Sequence, residues 1–236
     1  MSAPALPDPQ PAPTGSGPGA ALAPTPRTTL RRKRERGTAE RGVIDAILDE
    51  GYLCHVAFVD DGTPYAVPMA YARSGDLLYL HGASGNRTLR ALAGGAAACV
   101  TVTLLDGLVL ARSAFHHSMN YRSVMLLGSA ARVRGAAGER AAVAALLDHM
   151  APGRSTDARP PTDAERRATL ILRFPIEEGS AKVRTGGPIE EPDDLALAVW
   201  AGVLPFELTP GEPVPEPDLA DGVATPSYVA RPRRRR

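Results

Sequence analysis

The stretch YLCHVAFVDDGTPYAVPMAYARSGDLLYLH, residues 52–81, decides the fold. Tyr52 to Val59 is rich in β-branched and aromatic residues and reads as a strand. Asp60-Asp61-Gly62-Thr63 is a hairpin signal, because Asp-Gly accepts the positive φ of a tight turn. Pro64 to Arg73 makes the return strand, Ser74-Gly75-Asp76 turns again, and Leu77 to His81 gives a third strand. Strands joined in this way form an antiparallel meander, and a meander predicts a barrel or a sandwich.

Outward from this stretch the period changes. Before it, Thr38 is placed to cap a helix whose Val43, Ile44, Ile47 and Leu48 share one face, with Gly51 ending it. After it, Leu89 and Leu92 mark a short helix closed by Gly94-Gly95. Ala97 to Leu104 and Leu108 to Arg112 form a second hairpin about Asp106-Gly107, and Tyr121 to Val133 is a long strand. Gly128 interrupts that strand and marks a bulge or a close backbone approach. Glu139 to Met150 is an Ala/Leu-rich helix, Ala168 to Pro175 and Ser180 to Thr185 are strands, and Asp193 to Trp200 is a short helix or turn. The sum, roughly six to eight strands with about three helices, is an α+β fold built on a mainly antiparallel barrel.

Composition bounds this domain. The chain has 236 residues, and eight of its 23 prolines fall in the first 26 positions, among six alanines. Such a segment has too little apolar surface to offset the entropy of ordering it. Residues 1–37 are therefore expected to be a tail that turns basic, 38–208 the domain, and 209–236 a Pro-rich tail ending in an Arg run. Basic residues cluster at Arg27–Arg41 and Arg231–Arg236, which leaves the body between them mildly acidic although the net charge is +1. Basic ends can touch nucleic acid, but these read as solvated low-complexity segments. Cys54 and Cys99 lie in apolar strands without a CxxC neighbour and read as core thiols. No signal peptide and no membrane-length apolar run is visible, so a cytoplasmic location is expected.

The segment His81-Gly82-Ala83-Ser84-Gly85-Asn86-Arg87 carries the chemistry. It leads from a strand into a helix start, where unpaired N–H groups favour an anion. Gly82 and Gly85 let backbone come close, Ser84 and Asn86 add donors, and Arg87 offers a charged fork suited to phosphate. The pattern is neither a P-loop nor GxGxxG, and an ordinary capped turn has the same composition.

Three ordered blocks carry a resemblance. They are Gly62–Tyr71 with Leu78–Ala83, then His116-His117-Ser118-Met119-Asn120-Tyr121-Arg122-Ser123-Val124 with Gly128, then Leu195 to Pro205. The chain resembles pyridoxamine 5′-phosphate oxidase-related proteins, and within them the nitroimidazole-resistance branch. The resemblance implies a split β-barrel, usually a homodimer with FMN at the subunit interface; deazaflavin or haem are alternatives. Pro68, Met69 and Ala70 would line the isoalloxazine, with His81, Gly82 and Ala83 continuing the wall. Ser84, Gly85, Asn86 and Arg87 would hold the phosphate, Arg122 and Ser123 would add polar contacts reaching across from the second subunit, and Trp200 would cover the ring. The substrate-gripping Arg-x-His of true pyridoxine phosphate oxidases is missing after Trp200, and the matching basic residue is missing near Ala70-Tyr71-Ala72. The expectation is therefore an FMN-dependent reductase of a small nitroaromatic- or quinone-like acceptor, with NAD(P)H as a candidate donor. The alternative is a non-catalytic flavin or haem binder. No metal site and no catalytic side chain is assigned. Neighbouring histidines on a strand face opposite ways, so His116 and His117 read as loop polar residues.

Overall fold

A computed structural model describes residues 21–232. Its strands are β1 (Gly37–Thr38), β2 (Leu53–Asp60), β3 (Thr63–Ser74), β4 (Leu77–Ala83), β5 (Ala97–Leu110), β6 (Ser118–Ser129), β7 (Ala131–Arg132), β8 (Thr169–Pro175), β9 (Glu178–Arg184) and β10 (Gly202–Pro205). The helices that matter for packing are α1 (Arg41–Glu50), α2 (Arg87–Ala93) and α3 (Ala136–Met150). The strands form one curled antiparallel sheet in the order β1-β9-β6-β5-β2-β3-β4-β8-β7, with β10 added along β5. The expected α+β antiparallel barrel is what the chain forms. The strand count exceeds the expectation because β1, β7 and β10 are short additions.

Alternation explains the core. Cys54, Val56 and Phe58 point inward from β2, Leu78 and Leu80 from β4, Val100 and Val102 from β5, Val124 and Leu126 from β6, and Leu172 and Phe174 from β8. Ile44, Ile47 and Leu48 of α1 close this interior and are almost fully buried. Two polar contacts fix where α1 ends. Tyr71 Oη donates to the Leu48 carbonyl at 2.6 Å, and His149 Nε2 lies 2.7 Å from the Gly51 carbonyl. Both satisfy carbonyls that a helix end leaves without an intrahelical donor.

The turn at 60–63 forms as expected, with Asp61 at φ 50° and Gly62 at φ 72°. Four other readings are corrected. The expected hairpin about Asp106-Gly107 does not form, because β5 runs straight through as one strand. Leu105 pairs with Tyr121 and Gly107 with Asn120, which leaves Asp106 as the extra residue of a bulge. A Cβ on Gly107 would lie 2.6 Å from the Leu204 carbonyl oxygen of β10, so the glycine serves close strand approach here and not a reversal. Thr38 does not cap α1; it lies in β1 and its Oγ1 accepts from Glu40 N at 3.0 Å, while Glu40 is the cap residue. Gly128 makes no bulge, and of the two roles expected for it only the close approach is present: a Cβ there would sit 3.2 Å from the Phe174 ring.

The fourth concerns residues 21–37, expected as tail. Leu22 is buried among the core residues, and its N–H donates to Ala39 O at 2.8 Å. Arg27 grips Glu178 through Nε and Nη2, and Thr25 Oγ1 donates to the same carboxylate. A single apolar anchor and one ion pair hold this strap down, which composition averages do not register. Residues 1–20 and 233–236, where the rest of the expected tails fall, lie outside the described residues. Leu22→Ala should lower unfolding free energy by about 2 kcal/mol, the low end for truncating a buried leucine. Urea denaturation checks this; an unchanged midpoint would mean that the strap adds nothing to the core.

Candidate functional site

The strand β3 changes partner part-way along. Thr63 to Ala70 pair with β2, whereas Tyr71 to Ser74 pair with β4. Beyond Leu80, β4 continues to Ala83 against β8 alone. The two strands thus part, and among the described residues no strand covers the edge that each turns toward the other.

Which backbone groups face this slit follows from proline chemistry. Pro64 and Pro68 lie opposite Val59 and His55 of β2, and a proline cannot donate to a ladder. They must occupy the non-hydrogen-bonded positions, where N and C=O point away from β2. Ala66 and Ala70 share their parity, so two N–H donors and a row of carbonyls face the slit from β3. On β4, Ser84 N donates to Ala168 O at 2.8 Å on the β8 side. His81 and Ala83, of opposite parity, turn their backbone the other way, into the slit. Of the residues expected on the wall, Pro68, Ala70, His81 and Ala83 are the ones whose backbone turns toward the slit. Met69 and Gly82 face elsewhere. The Met69 carbonyl looks to β2 and accepts from Cys54 Sγ at 3.4 Å, and Gly82 gives room to Leu89, whose Cδ1 would lie 3.0 Å from a Cβ.

The slit leads to the turn at Ser84–Arg87. Asn86 caps α2, its Oδ1 accepting from Leu89 N at 3.1 Å, so its side chain is spent on the helix. Ser84 and Gly85 are exposed. The Arg87 guanidinium carbon lies over the Tyr65 ring, 4.5 Å from its centroid, and its Nε donates to Asp60 at 2.8 Å. These contacts aim a mostly exposed guanidinium along the turn. His81 is exposed on the strand edge, yet the protein around its ring removes enough water to lower its pKa, which favours the neutral imidazole.

Three expected contacts are not gathered at the slit within one chain. Arg122 is held by Glu50 and Asp106, and the two carboxylates, Glu50 foremost, raise its pKa above the ordinary guanidinium value. The bulge at Asp106 is what brings its carboxylate to Arg122. Ser123 Oγ lies 3.4 Å from the Lys182 carbonyl on the outer face of β6. Trp200 is 66% exposed and leans over Gly202, beside the part of β5 that carries β10. The sequence reading missed Arg27 and Glu178 altogether, since residues 151 positions apart give no local signal. His117 Nδ1 lies 3.0 Å from Ser113 O and His116 Nε2 is 3.5 Å from Glu191; His116 ends a short 3-10 turn, Ala114–His116, where a loop was expected, and His117 follows it ahead of β6. Among the described residues no group of three or more metal-ligating side chains forms, and no helix is long and apolar enough to cross a membrane.

The family described as pyridoxamine 5′-phosphate oxidase matches residues 40–183, from the start of α1 to the end of the barrel. The chain belongs to this family. Among solved structures, the flavocytochrome Anf3 from Azotobacter vinelandii is 37% identical, with a TM-score of 0.83 over 89% of this chain and 97% of that one. The FAD and haem binding protein from Mycobacterium smegmatis is 40% identical, with a TM-score of 0.79 over 83% of this chain and 96% of that one. A Bacteroides thetaiotaomicron protein whose description names 5-nitroimidazole antibiotic resistance is 23% identical, with a TM-score of 0.50 over 65% and 85%. That last likeness is one of fold. No protein of curated function matches the chain. The family match ends before the segment 189–208, here called the arm, whereas the likeness to the flavocytochrome and to the FAD and haem binding protein extends over 89% and 83% of the chain.

Arg122→Ala should cost about 2 kcal/mol in thermal or urea unfolding, because it strands two carboxylates that are only partly solvated. A stability loss below roughly 0.5 kcal/mol, the size of an ordinary surface substitution, would show that the Glu50–Arg122–Asp106 bridge is not structural.

Proposed function

We propose that this protein binds a flavin in the slit between β3 and β4, together with haem, and works as an electron-transfer flavoprotein of the flavocytochrome kind. One observation carries the reading: among the described residues, no strand pairs with the backbone edges of Pro68, Ala70, His81 and Ala83, where β3 leaves β4. The pyrimidine edge of an isoalloxazine alternates donors and acceptors, which fits such a row of free N–H and C=O groups. Its phosphate is expected against Ser84 and Arg87 at the end of the slit, where it would compete with Asp60 for the guanidinium. The isoalloxazine is common to FMN and FAD, so the expected FMN and the FAD of the Mycobacterium smegmatis relative make the same demand on these edges. When bound, a flavin supplies hydride and one-electron chemistry, and the protein supplies binding and orientation.

Support for haem comes from the two relatives at 37% and 40% identity, one a flavocytochrome and the other an FAD and haem binding protein. It was the alternative in the sequence reading, and these relatives favour it over a nitroaromatic reductase. His81 is the residue suited to hold an iron, because it stands at the mouth of the slit with a pKa shifted toward the neutral, ligating form. A second copy of the chain would complete the site. Leu195, Leu197, Val199, Trp200, Leu204 and Leu208 of the arm are each about half exposed or more, an apolar surface that a homodimer would cover.

The absorption spectrum of the purified full chain tests the reading: flavin bands together with a Soret band are expected, and a colourless protein that takes up neither cofactor would refute it. Arg87→Ala should weaken flavin binding by about 1.5–3 kcal/mol, measured by fluorescence titration. Unchanged affinity would put the phosphate elsewhere. His81→Ala should remove the Soret band while leaving the flavin. In the unchanged protein haem should be released on acidification only below the ordinary histidine pKa of about 6.5, since a lowered pKa postpones protonation. Release that begins above that pH would contradict His81 as the ligand.

A further inference from the structure

On the outer face of the sheet, away from the core, a groove of about 590 Å³ opens beside the slit. Its floor is a single row across three strands: Ala57 pairs with Cys99, and Cys99 with Leu127. Val59, Pro64 and Arg27 of the N-terminal strap also line it, and Arg27 is held at the Glu178 end of the floor row. Tyr65 lines the groove, and its ring, stacked on Phe58 on the core side of the sheet, carries Arg87. The groove and the phosphate turn thus have Tyr65 as a common neighbour, at the β2–β3 hairpin. Its size falls within the range of small-molecule sites.

The far end has its own chemistry. Glu178 pairs in register with Leu127, at the end of the floor row. Its carboxylate is fixed by Thr25 Oγ1 at 2.5 Å and by the two-point grip of Arg27. That grip also holds the Arg27 guanidinium in one plane above the groove. A planar cation over a smooth apolar floor suits a heteroaromatic base, and an ionised carboxylate suits sugar hydroxyls. Ala57 and Cys99, the small residues of the floor, leave the height that a stacked ring needs.

We infer that this groove receives the adenosine half of FAD, with the adenine between Arg27 and the Ala57–Cys99–Leu127 row and the ribose hydroxyls on Glu178. The inference rests on the flavin reading above and adds to it a reason for choosing FAD over FMN. The strap at residues 21–30 is then part of the cofactor site as well as of the core.

The test is a pair of affinities, FAD and FMN, measured on the full chain after its flavin has been exchanged out. The unchanged protein should prefer FAD by at least about tenfold, the order expected for one stacked base. Cys99→Phe fills the groove from the floor. Val59→Trp, at a position already 58% exposed, fills it from the rim without disturbing the core. Either should abolish most of the preference while FMN affinity stays within about twofold, a difference well under one stacked base. Equal affinity for both flavins in the unchanged protein would overturn the inference and leave the flavin reading standing. So would a preference that survives both variants, or an equal loss of FMN and FAD, which would put the isoalloxazine in the groove. Loss of haem with both flavin affinities intact would assign the groove to haem and overturn it too. Failure of the unchanged protein to bind either flavin would remove both readings together.

Discussion

The partner change of β3 between Ala70 and Tyr71 is the constraint on which the rest of the structure depends. Up to Ala70 the strand belongs to the β2 side of the sheet, and from Tyr71 it belongs to the β4 side. Tyr71 and Ala72 are both buried, although successive residues of a strand point to opposite faces. That double burial is what a corner requires, because at the crossing both faces of the strand are covered. Tyr71 pins the corner by its bond to the end of α1, and α1 in turn fills the barrel. The slit is the consequence of this arrangement: a sheet that must curl around α1 cannot keep β3 and β4 paired along their whole length.

The same economy runs through the polar groups. Prolines that would break a central ladder are harmless at positions 64 and 68, because those positions already face the opening. Asp106, extruded by the bulge in β5, becomes one half of the clasp on Arg122. Cys54 is sealed beneath β3, with its thiol pushed up to about 12 by burial, and is inert. Cys99, one strand over and on the outer face, stays partly accessible in the groove. A fold that spends its interior on aliphatic packing thus leaves its chemistry to backbone edges and to the rim.

Much of this was legible in the sequence, for identifiable reasons. The meander at 52–81 has dense turn chemistry and clean alternation, and both are local signals. The turn into α2 at Ser84–Arg87 was legible because small polar residues and glycine ahead of an apolar helical pattern mark a helix start, and Asn86 caps it. What was not legible is long-range. Asp-Gly at 106–107 has the composition of a turn, and only the pairing of β5 with both β6 and β10 forces it into a bulge. Residues 21–37 have the composition of a tail, yet Leu22 and the Arg27–Glu178 pair tie them down across the sheet. Met69 was grouped with its neighbours on the flavin wall, and strand parity, which depends on the ladder with β2, turns it away. Arg122, Ser123 and Trp200 share the family's blocks but lie elsewhere in a single chain, which is why a second copy enters the proposed site.

The central claim is that the open edges of β3 and β4 receive the flavin. Backbone hydrogen exchange of the full chain, with and without bound flavin, addresses it most directly, since it reads N–H groups one segment at a time. Protection should appear at residues 66–70 and 81–87 and at few other places. Unchanged exchange in those two segments on flavin binding, with protection gained elsewhere, would contradict the account.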